Sequence, residues 1–330
     1  MSDWPATGVA SAPDFVVACG LGGVVQRWTL ADGAPSLCQQ IDCGGPVAPL
    51  AWRAEDETLY AALRGQPYAL LRLERDRGGV LQVVERQPLA VDLAWIALDP
   101  TRRGLLGASY AMHCVAWLRD SGVETLPTDG PSHACIALGG GRLLLATETL
   151  GGSLLCLASD DAGAALHARS ASRLRLAEAA SPRHLACAGP WVFINNEAHA
   201  RLDVCRYDAG ANALHPMFSA ALDWNDAKAP WYGDIRCSAD GSRVWISERR
   251  LAQVHCLDVD VERGCVRAST ALPAPATPRA LARHGDWLVS CGETANALVV
   301  HRRQPDGVWR EVARAPCAAR PMWVEFLSGA

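Results

Sequence analysis

Two Pro-Arg dipeptides, Pro182-Arg183 and Pro278-Arg279, begin two similar apolar segments of the chain. A proline fixes the backbone just before each arginine, and a planar guanidinium group can bind a carboxylate or a phosphate through paired hydrogen bonds. Two such arginines at one place would form a binding site for a small anion. His133 and Glu197 are the candidates for transferring protons there near neutral pH.

The prediction that these side chains meet depends on a repeat. Each copy has a short apolar strand, a turn rich in Gly or Asp, a second strand, a small polar turn and a third strand that ends in charge. Six internal copies can be recognised, and they span Val47 to Glu74, Asp92 to Arg119, Ser132 to Ser159, Pro182 to Asp208, Trp231 to Asp260 and Pro278 to Arg303.

The two chain ends together supply a seventh copy. Arg320 to Phe326 resembles a lone first strand, and Asp14 to Leu30 resembles the missing second and third strands. Repeats of about 40–50 residues with alternating apolar and polar positions and Gly-containing turns are typical of propeller blades. We therefore predict an all-β, seven-bladed β-propeller that spans residues 1–330 as a single domain, with its last blade closed by N- and C-terminal strands.

In a propeller, equivalent positions of different blades converge at one end of the central channel. The start of the first strand in each copy gives Pro49, Leu93, His133, Arg183 with His184, Asp234, Arg279 and Met322. We predict catalytic roles for His133, Arg183, Glu197 and Arg279, and substrate-binding roles for His184, Asp234 and Met322. Any one of these residues alone is more simply explained as a surface charge or a core group, so the prediction depends on their convergence.

Composition and charge exclude several classes of protein. Half of the residues are apolar, and 31 basic side chains stand against 35 acidic ones, which excludes a disordered or collagen-like chain. With one lysine and scattered arginines the chain lacks a basic stripe, so we expect no nucleic-acid partner. No uncharged apolar run is long enough to cross a bilayer, and Met1 to Pro13 lacks the pattern of a signal peptide, so we expect no membrane partner.

The number and positions of the cysteines indicate the redox compartment of the protein. Thirteen cysteines are an odd number in a long chain, and most lie in apolar strand-like runs, which favours buried reduced thiols in a cytoplasmic protein.

Asn195-Asn196-Glu197 could supply oxygen ligands to a cation, but it has no companion Asp/Glu cluster in the sequence. We expect neither a metal nor another cofactor. Gly20-Leu21-Gly22-Gly23 lies between two strands with no helix after it, which predicts a hairpin turn rather than a phosphate-binding loop.

Several stretches resemble one protein family in order and spacing. They are Ser132-His133-Ala134, Ser181-Pro182-Arg183-His184, Asn196-Glu197, Trp231-Tyr232-Gly233-Asp234-Ile235, Pro278-Arg279 and Pro321-Met322-Trp323-Val324. The resemblance is to the seven-bladed 6-phosphogluconolactonase family, which includes the fungal carboxymuconate lactonising enzymes. It implies the same propeller and hydrolysis of 6-phospho-D-glucono-1,5-lactone in the pentose phosphate pathway. The family's histidine, two arginines and glutamate correspond to His133, Arg183, Arg279 and Glu197.

This resemblance leads to one expected mechanism and two alternatives. Glu197 or His133 would deprotonate a water that attacks the lactone carbonyl, while one arginine stabilises the oxyanion and the other binds the phosphate. The partner would then be a small anionic sugar lactone. A carboxymuconate-type cycloisomerase and a non-catalytic binding scaffold remain the alternatives, because a fold does not by itself determine a function.

Overall fold

The computed structural model describes residues 13–102 and 104–327, which form 28 strands and two short 3₁₀ turns, Gly139–Gly141 and Leu166–Ala168. No helix in this described part of the chain has the length and hydropathy to cross a membrane. The predicted domain span of 1–330 also includes residues 1–12, 103 and 328–330, which lie outside the described residues.

The strands form seven antiparallel sheets of four, each with its first strand innermost. Blade 1 contains β4 (Val47–Arg53), β5 (Thr58–Leu63), β6 (Ala69–Arg75) and β7 (Leu81–Pro88), and blade 2 contains β8 (Trp95–Leu98), β9 (Gly104–Ser109), β10 (Cys114–Arg119) and β11 (Gly122–Pro127). Blade 3 contains β12 (Cys135–Leu138), β13 (Leu143–Glu148), β14 (Ser153–Ala158) and β15 (Ser170–Arg175), and blade 4 contains β16 (Pro182–Ala188), β17 (Trp191–Asn196), β18 (Arg201–Asp208) and β19 (Ala213–Ala221).

Blade 5 contains β20 (Tyr232–Cys237), β21 (Arg243–Glu248), β22 (Gln253–Asp260) and β23 (Cys265–Pro273), and blade 6 contains β24 (Pro278–His284), β25 (Trp287–Gly292), β26 (Ala297–Arg303) and β27 (Trp309–Pro316). Blade 7 contains β28 (Pro321–Phe326), β1 (Asp14–Cys19), β2 (Val24–Ala31) and β3 (Ala34–Asp42), in that order from the centre outwards. The predicted seven-bladed propeller and its closure by both chain ends are therefore confirmed, and Gly20 to Gly23 form the predicted hairpin turn.

The second strand of each blade lies in the core, covered by a neighbouring blade on each face. In β21, Val244 and Ile246 pack in a cluster with residues of blade 4, whereas Trp245 packs in another with Leu281 and Leu288 of blade 6. Successive side chains of this strand thus point to two different buried faces. Neither face is exposed to solvent, because a neighbouring blade stacks on each side. The outermost strands are mostly exposed, as in β7 and β23.

Ring closure depends on the pairing of β28 with β1. Val324 lies opposite Val17 in this pairing, and its side chain is fully buried in a cluster with Phe15 and Phe326. Contacts between first strands join blade 7 to blade 1 as well as to blade 6, so β28 holds both neighbours. The apolar packing of one short strand therefore secures the whole ring.

We predict that Val324→Asp destabilises the protein by more than about 3 kcal/mol, because an unpaired carboxylate would be buried at the closure. The free energy of unfolding, measured by urea denaturation, tests this. The matched control is Val84→Asp on the outer strand β7, where the side chain is 48% exposed and the change should stay within about 0.5 kcal/mol. Equal effects of the two substitutions would contradict the closure argument.

Candidate active site

One end of the central channel is surrounded by two tiers of side chains. The inner tier comes from the start of the first strands, where pairing with the second strand is interrupted by a bulge in five of the seven blades. A bulge adds an unpaired residue and redirects its side chain. From blade 1 to blade 7, the equivalent inner positions are Ala48, Ala94, His133, Arg183, Gly233, Arg279 and Met322.

The outer tier comes from the residue that follows each second strand. In the same blade order these residues are Arg64, Tyr110, Thr149, Glu197, Arg249, Glu293 and Gly20. The strand ends bring the two tiers together, because the first strand starts where the second strand ends in an antiparallel pair. The polar residues of this end, called the mouth below, are concentrated in blades 4 to 6.

Arg183 is held by a buried hydrogen-bonded chain beneath the mouth. The Nδ1 of His184 lies 2.8 Å from Asp234 Oδ1, and its Nε2 lies 3.0 Å from Arg183 Nη1. Because the carboxylate accepts, Nδ1 carries the proton and Nε2 accepts from the guanidinium. Arg183 Nη1 also donates to the carbonyl of Gly233. The chain from Asp234 to Arg183 thus fixes the position of the guanidinium group.

The pKa values of this chain agree with that proton arrangement. Burial, helped by the charge of Arg183, lowers the pKa of His184 to about 3, so the ring is neutral at physiological pH. Burial raises the pKa of Asp234, but Arg236 and His184 outweigh this effect and lower it to about 2. Burial lowers the pKa of Arg183 to about 10, which leaves it charged near neutral pH.

Glu197 is the carboxylate at which the site converges. Its Oε1 lies 3.5 Å from Arg183 Nε and 3.8 Å from Arg249 Nη1, and it accepts a hydrogen bond of 3.3 Å from the indole of Trp231. Its Oε2 lies 3.8 Å from His133 Nε2. The exposed fraction of its side chain is 21%, so solvent reaches the carboxylate.

His133 is buried against the Tyr110 ring, with centroids 4.4 Å apart. Burial, together with the charge of Arg183, holds its pKa well below the usual value. The imidazole is therefore neutral over the physiological range, and its Nε2 faces Glu197.

The remaining charges at the mouth occur as pairs. Arg279 Nη1 donates to Glu293 at 3.0 Å, and Arg320 binds the other oxygen of the same carboxylate. Arg64 binds Asp92 through two hydrogen bonds of 3.2 and 3.0 Å. Among the described residues, these pairs and the Glu197 cluster together contain five arginines and three carboxylates. The arginines are Arg64, Arg183, Arg249, Arg279 and Arg320, and the carboxylates are Asp92, Glu197 and Glu293. This excess of positive charge suits an anion.

Two spaces that share Arg64 and Met322 as lining residues lie at this end of the channel. A central space of about 10 Å³, enough for about one water molecule, is lined by His133, Arg183, His184 and Arg279. An adjoining cavity of about 290 Å³ is lined by Arg64, Asp92, Arg320 and Met322, with apolar contributions from Leu21 and Val47. Its volume is near the lower end of the range for small-molecule sites.

The structure brings together His133, Arg183, Glu197 and, three blades away from His133, Arg279. His184 and Met322 line the central space, but Asp234 is fully buried and binds His184 instead of facing the mouth. The structure therefore places Asp234 behind His184 rather than at the mouth, and its substrate-binding role stays a prediction. Pro49 occupies the position equivalent to Asp234 in blade 1, and Leu93 lies one residue before the inner tier and packs in the core.

Sequence reasoning missed Arg249, Glu293 and Arg64. All three follow a second strand and are equivalent to Glu197, which was recognised. Applying the same repeat register to the second strand of every copy, as was done for the first strand, would have found them.

The comparisons with known proteins agree with the fold. The family model described as lactonase, 7-bladed β-propeller, matches residues 16–326. The chain belongs to this family. A 6-phosphogluconolactonase of Erwinia tasmaniensis is 24% identical over 315 residues, covering 91% of this chain and 94% of that protein. One of Xenorhabdus nematophila is also 24% identical, covering 92% and 95%.

Solved structures of similar proteins have the same architecture as this lactonase-family chain. A periplasmic gluconolactonase of Pseudomonas aeruginosa superposes with a TM-score of 0.80 at 17% identity, covering 96% of this chain and 99% of the other. A protein from Lactobacillus plantarum gives 0.82 at 16% identity, covering 96% and 99%. The predicted family is thus confirmed, and the matches support a lactone hydrolase while giving the cycloisomerase no comparable support.

The buried histidine gives a pH-dependent stability. The pKa of His184 is about 3 when folded and about 6.5 when unfolded, so the unfolded chain binds more protons between these values. We therefore predict that acidification from pH 7.5 to 4.5 removes about 3 kcal/mol of stability through this residue. His184→Asn should lose that part of the pH dependence in urea denaturation.

The control for this measurement is His215→Asn, at an exposed position of β19. It should keep the pH dependence of the unmodified protein. An unchanged slope in His184→Asn would mean that His184 is not held neutral.

Proposed function

We propose that this protein hydrolyses a sugar lactone, 6-phospho-D-glucono-1,5-lactone, to 6-phosphogluconate, with Glu197, His133 and Arg183 as the reacting constellation. The observation that carries the proposal is the position of Glu197 in a mouth of net positive charge. Its carboxylate lies 3.8 Å from His133 Nε2 and 3.5 Å from Arg183 Nε. The names of the full-length relatives give the substrate. With this substrate, the proposal includes a role in the pentose phosphate pathway and a cytoplasmic location.

The attacking water would lie between Glu197 and His133. The two facing atoms are 3.8 Å apart, and a water at about 2.8 Å from each can contact both. An ionised carboxylate and a neutral imidazole both accept hydrogen bonds from this water. One of its protons then moves to Glu197 or His133 as its oxygen attacks the lactone carbonyl carbon.

Among the arginines, Arg183 lies nearest to the Glu197 carboxylate, with its Nε 3.5 Å from Oε1, against 3.8 Å for Arg249 Nη1. That buried Nε has no hydrogen-bond partner among the described residues, so it is available to the oxygen that gains charge in the tetrahedral intermediate. Collapse of the intermediate breaks the ring C–O bond, and the proton taken from water passes to the leaving alkoxide. The carboxylic acid that forms releases the other water proton to solvent, so the products are a carboxylate, a hydroxyl group and a proton, and no further reactant is needed.

A modest constellation is sufficient for this reaction. A general base contributes about 10²–10⁴-fold, and one oxyanion donor about 10²–10³-fold. Arg279, three blades from His133, would bind the anionic end of the substrate at a distance from the reacting carbonyl.

The first test of the function is a coupled assay with freshly generated 6-phosphogluconolactone, in which formation of 6-phosphogluconate is followed above the spontaneous rate. We expect clear acceleration by the unmodified protein and a loss of at least about 10² in Glu197→Gln, which keeps the shape of the side chain but accepts no proton. No acceleration by folded, unmodified protein would contradict the proposal and favour the scaffold alternative.

The second test concerns the oxyanion donor. Arg183→Gln should lower kcat by about 10² with little change in KM, because Arg183 acts mainly on the charge that develops during attack. The control Arg206→Gln lies in the same blade, at an exposed position of β18, and should keep full activity. A rise in KM alone for Arg183→Gln would assign Arg183 to substrate binding instead.

A further inference from the structure

Arg249 is a buried cation that the proposed reaction does not use. It follows β21, in the outer tier between Glu197 of blade 4 and Glu293 of blade 6. Only 4% of the residue is exposed. Its guanidinium stacks on the ring of Trp231, with the carbon 4.6 Å from the centroid. The ring and the backbone therefore hold it at the mouth.

The hydrogen-bonding capacity of Arg249 is largely unused. Its Nε and Nη2 are buried and have no hydrogen-bond partner among the described residues, and its Nη1 lies 3.8 Å from Glu197, beyond hydrogen-bond distance. A buried charged group without partners is costly. Such a group is an indication that a ligand supplies the missing acceptors.

Neighbouring charges make this cost larger. The inner-tier position below Arg249 is Gly233, which has no side chain, and Arg183 and Arg279 stand on either side in blades 4 and 6. Burial, followed by the charges of Arg183 and Arg279, holds the pKa of Arg249 well below its usual value. Three guanidinium groups in adjacent blades thus concentrate positive charge on this side of the mouth, which suits an anion of more than one negative charge.

We propose that Arg249, with Arg279, forms the subsite for the phosphate group of the substrate, so that Arg249 determines the preference for a phosphorylated over an unphosphorylated lactone. This inference rests on the proposed function for the identity of the substrate. A phosphate offers several acceptor oxygens to the free Nε and Nη2 of Arg249, in the side-on geometry that suits a guanidinium group. The sugar would then extend from blades 5 and 6 towards Glu197 and His133.

The test measures binding of the stable product, so that it does not depend on turnover. Isothermal titration calorimetry compares 6-phosphogluconate with gluconate for the unmodified protein, Arg249→Gln, Arg249→Lys and the control Arg250→Gln. Arg250 is the exposed neighbour in the same turn. We expect Arg249→Gln to weaken 6-phosphogluconate binding by about 30-fold, the scale of a charge-assisted hydrogen bond, and to leave gluconate binding unchanged. Arg249→Lys should lose less, and Arg250→Gln nothing.

Thermal melting provides a second readout. Because Arg249 is a buried cation among like charges, Arg249→Gln should fold and be at least as stable as the unmodified protein without ligand. Addition of 6-phosphogluconate should raise the Tm of the unmodified protein more than that of the variant. Unchanged affinity for 6-phosphogluconate in folded Arg249→Gln, or equal losses for both ligands, would overturn the inference.

The outcomes separate this inference from the proposed function. Binding of 6-phosphogluconate that depends on Arg249, without acceleration of lactone hydrolysis, would keep the phosphate subsite and reject the enzyme. Hydrolysis that is unaffected by Arg249→Gln would keep the enzyme and reject the subsite.

Discussion

Burial of both faces of every second strand limits where this protein can place polar side chains. Val244, Trp245 and Ile246 are all buried because neighbouring blades cover each face of β21. Charged groups within the blade stack would lack hydrogen-bond partners, so they are restricted to the strand ends, the outer strands and the turns. The antiparallel pairing of first and second strands then brings two rows of strand ends to one mouth. Chemistry at the mouth follows from packing in the core.

The arginines of the mouth differ in how completely they are paired, and this difference separates structural from functional charges. Arg64 forms a two-bond pair with Asp92, whereas Arg279 donates to Glu293 through Nη1 alone. Arg183 is fixed from below by His184 and Gly233, but its Nε has no hydrogen-bond partner among the described residues, and neither have Nε and Nη2 of Arg249. A fully paired arginine contributes to the shape of the mouth, whereas a buried one with free donors destabilises the empty site and gains most from a ligand.

The sequence contained enough information for the architecture but only part of the site. The repeat predicted seven blades and the closure by β28 and β1, since turn residues and strand length recur in every copy. It also selected His133, Arg183, Glu197 and Arg279, whose side chains the structure places at the mouth. It did not predict that Asp234 lies behind His184, because a bulge turns two successive residues to different sides and a sequence pattern does not locate bulges to one residue. His184 and Asp234 became a positioning pair only when the partners of each nitrogen were known.

The uneven distribution of charge around the ring orients the substrate. Blades 4 to 6 provide Arg183, Arg249 and Arg279 at the mouth, whereas blades 1, 2 and 7 provide Ala48, Ala94 and Met322 at the equivalent inner positions. The larger cavity opens on that less charged side. For the proposed reaction, this distribution favours one direction of an anionic lactone, in which the charged group would lie over blades 5 and 6 and the carbonyl would reach Glu197 and His133 over blades 3 and 4. The reverse orientation would leave Nε and Nη2 of Arg249 without an acceptor and place the negative group beside Met322, where Arg64 and Arg320 already bind Asp92 and Glu293.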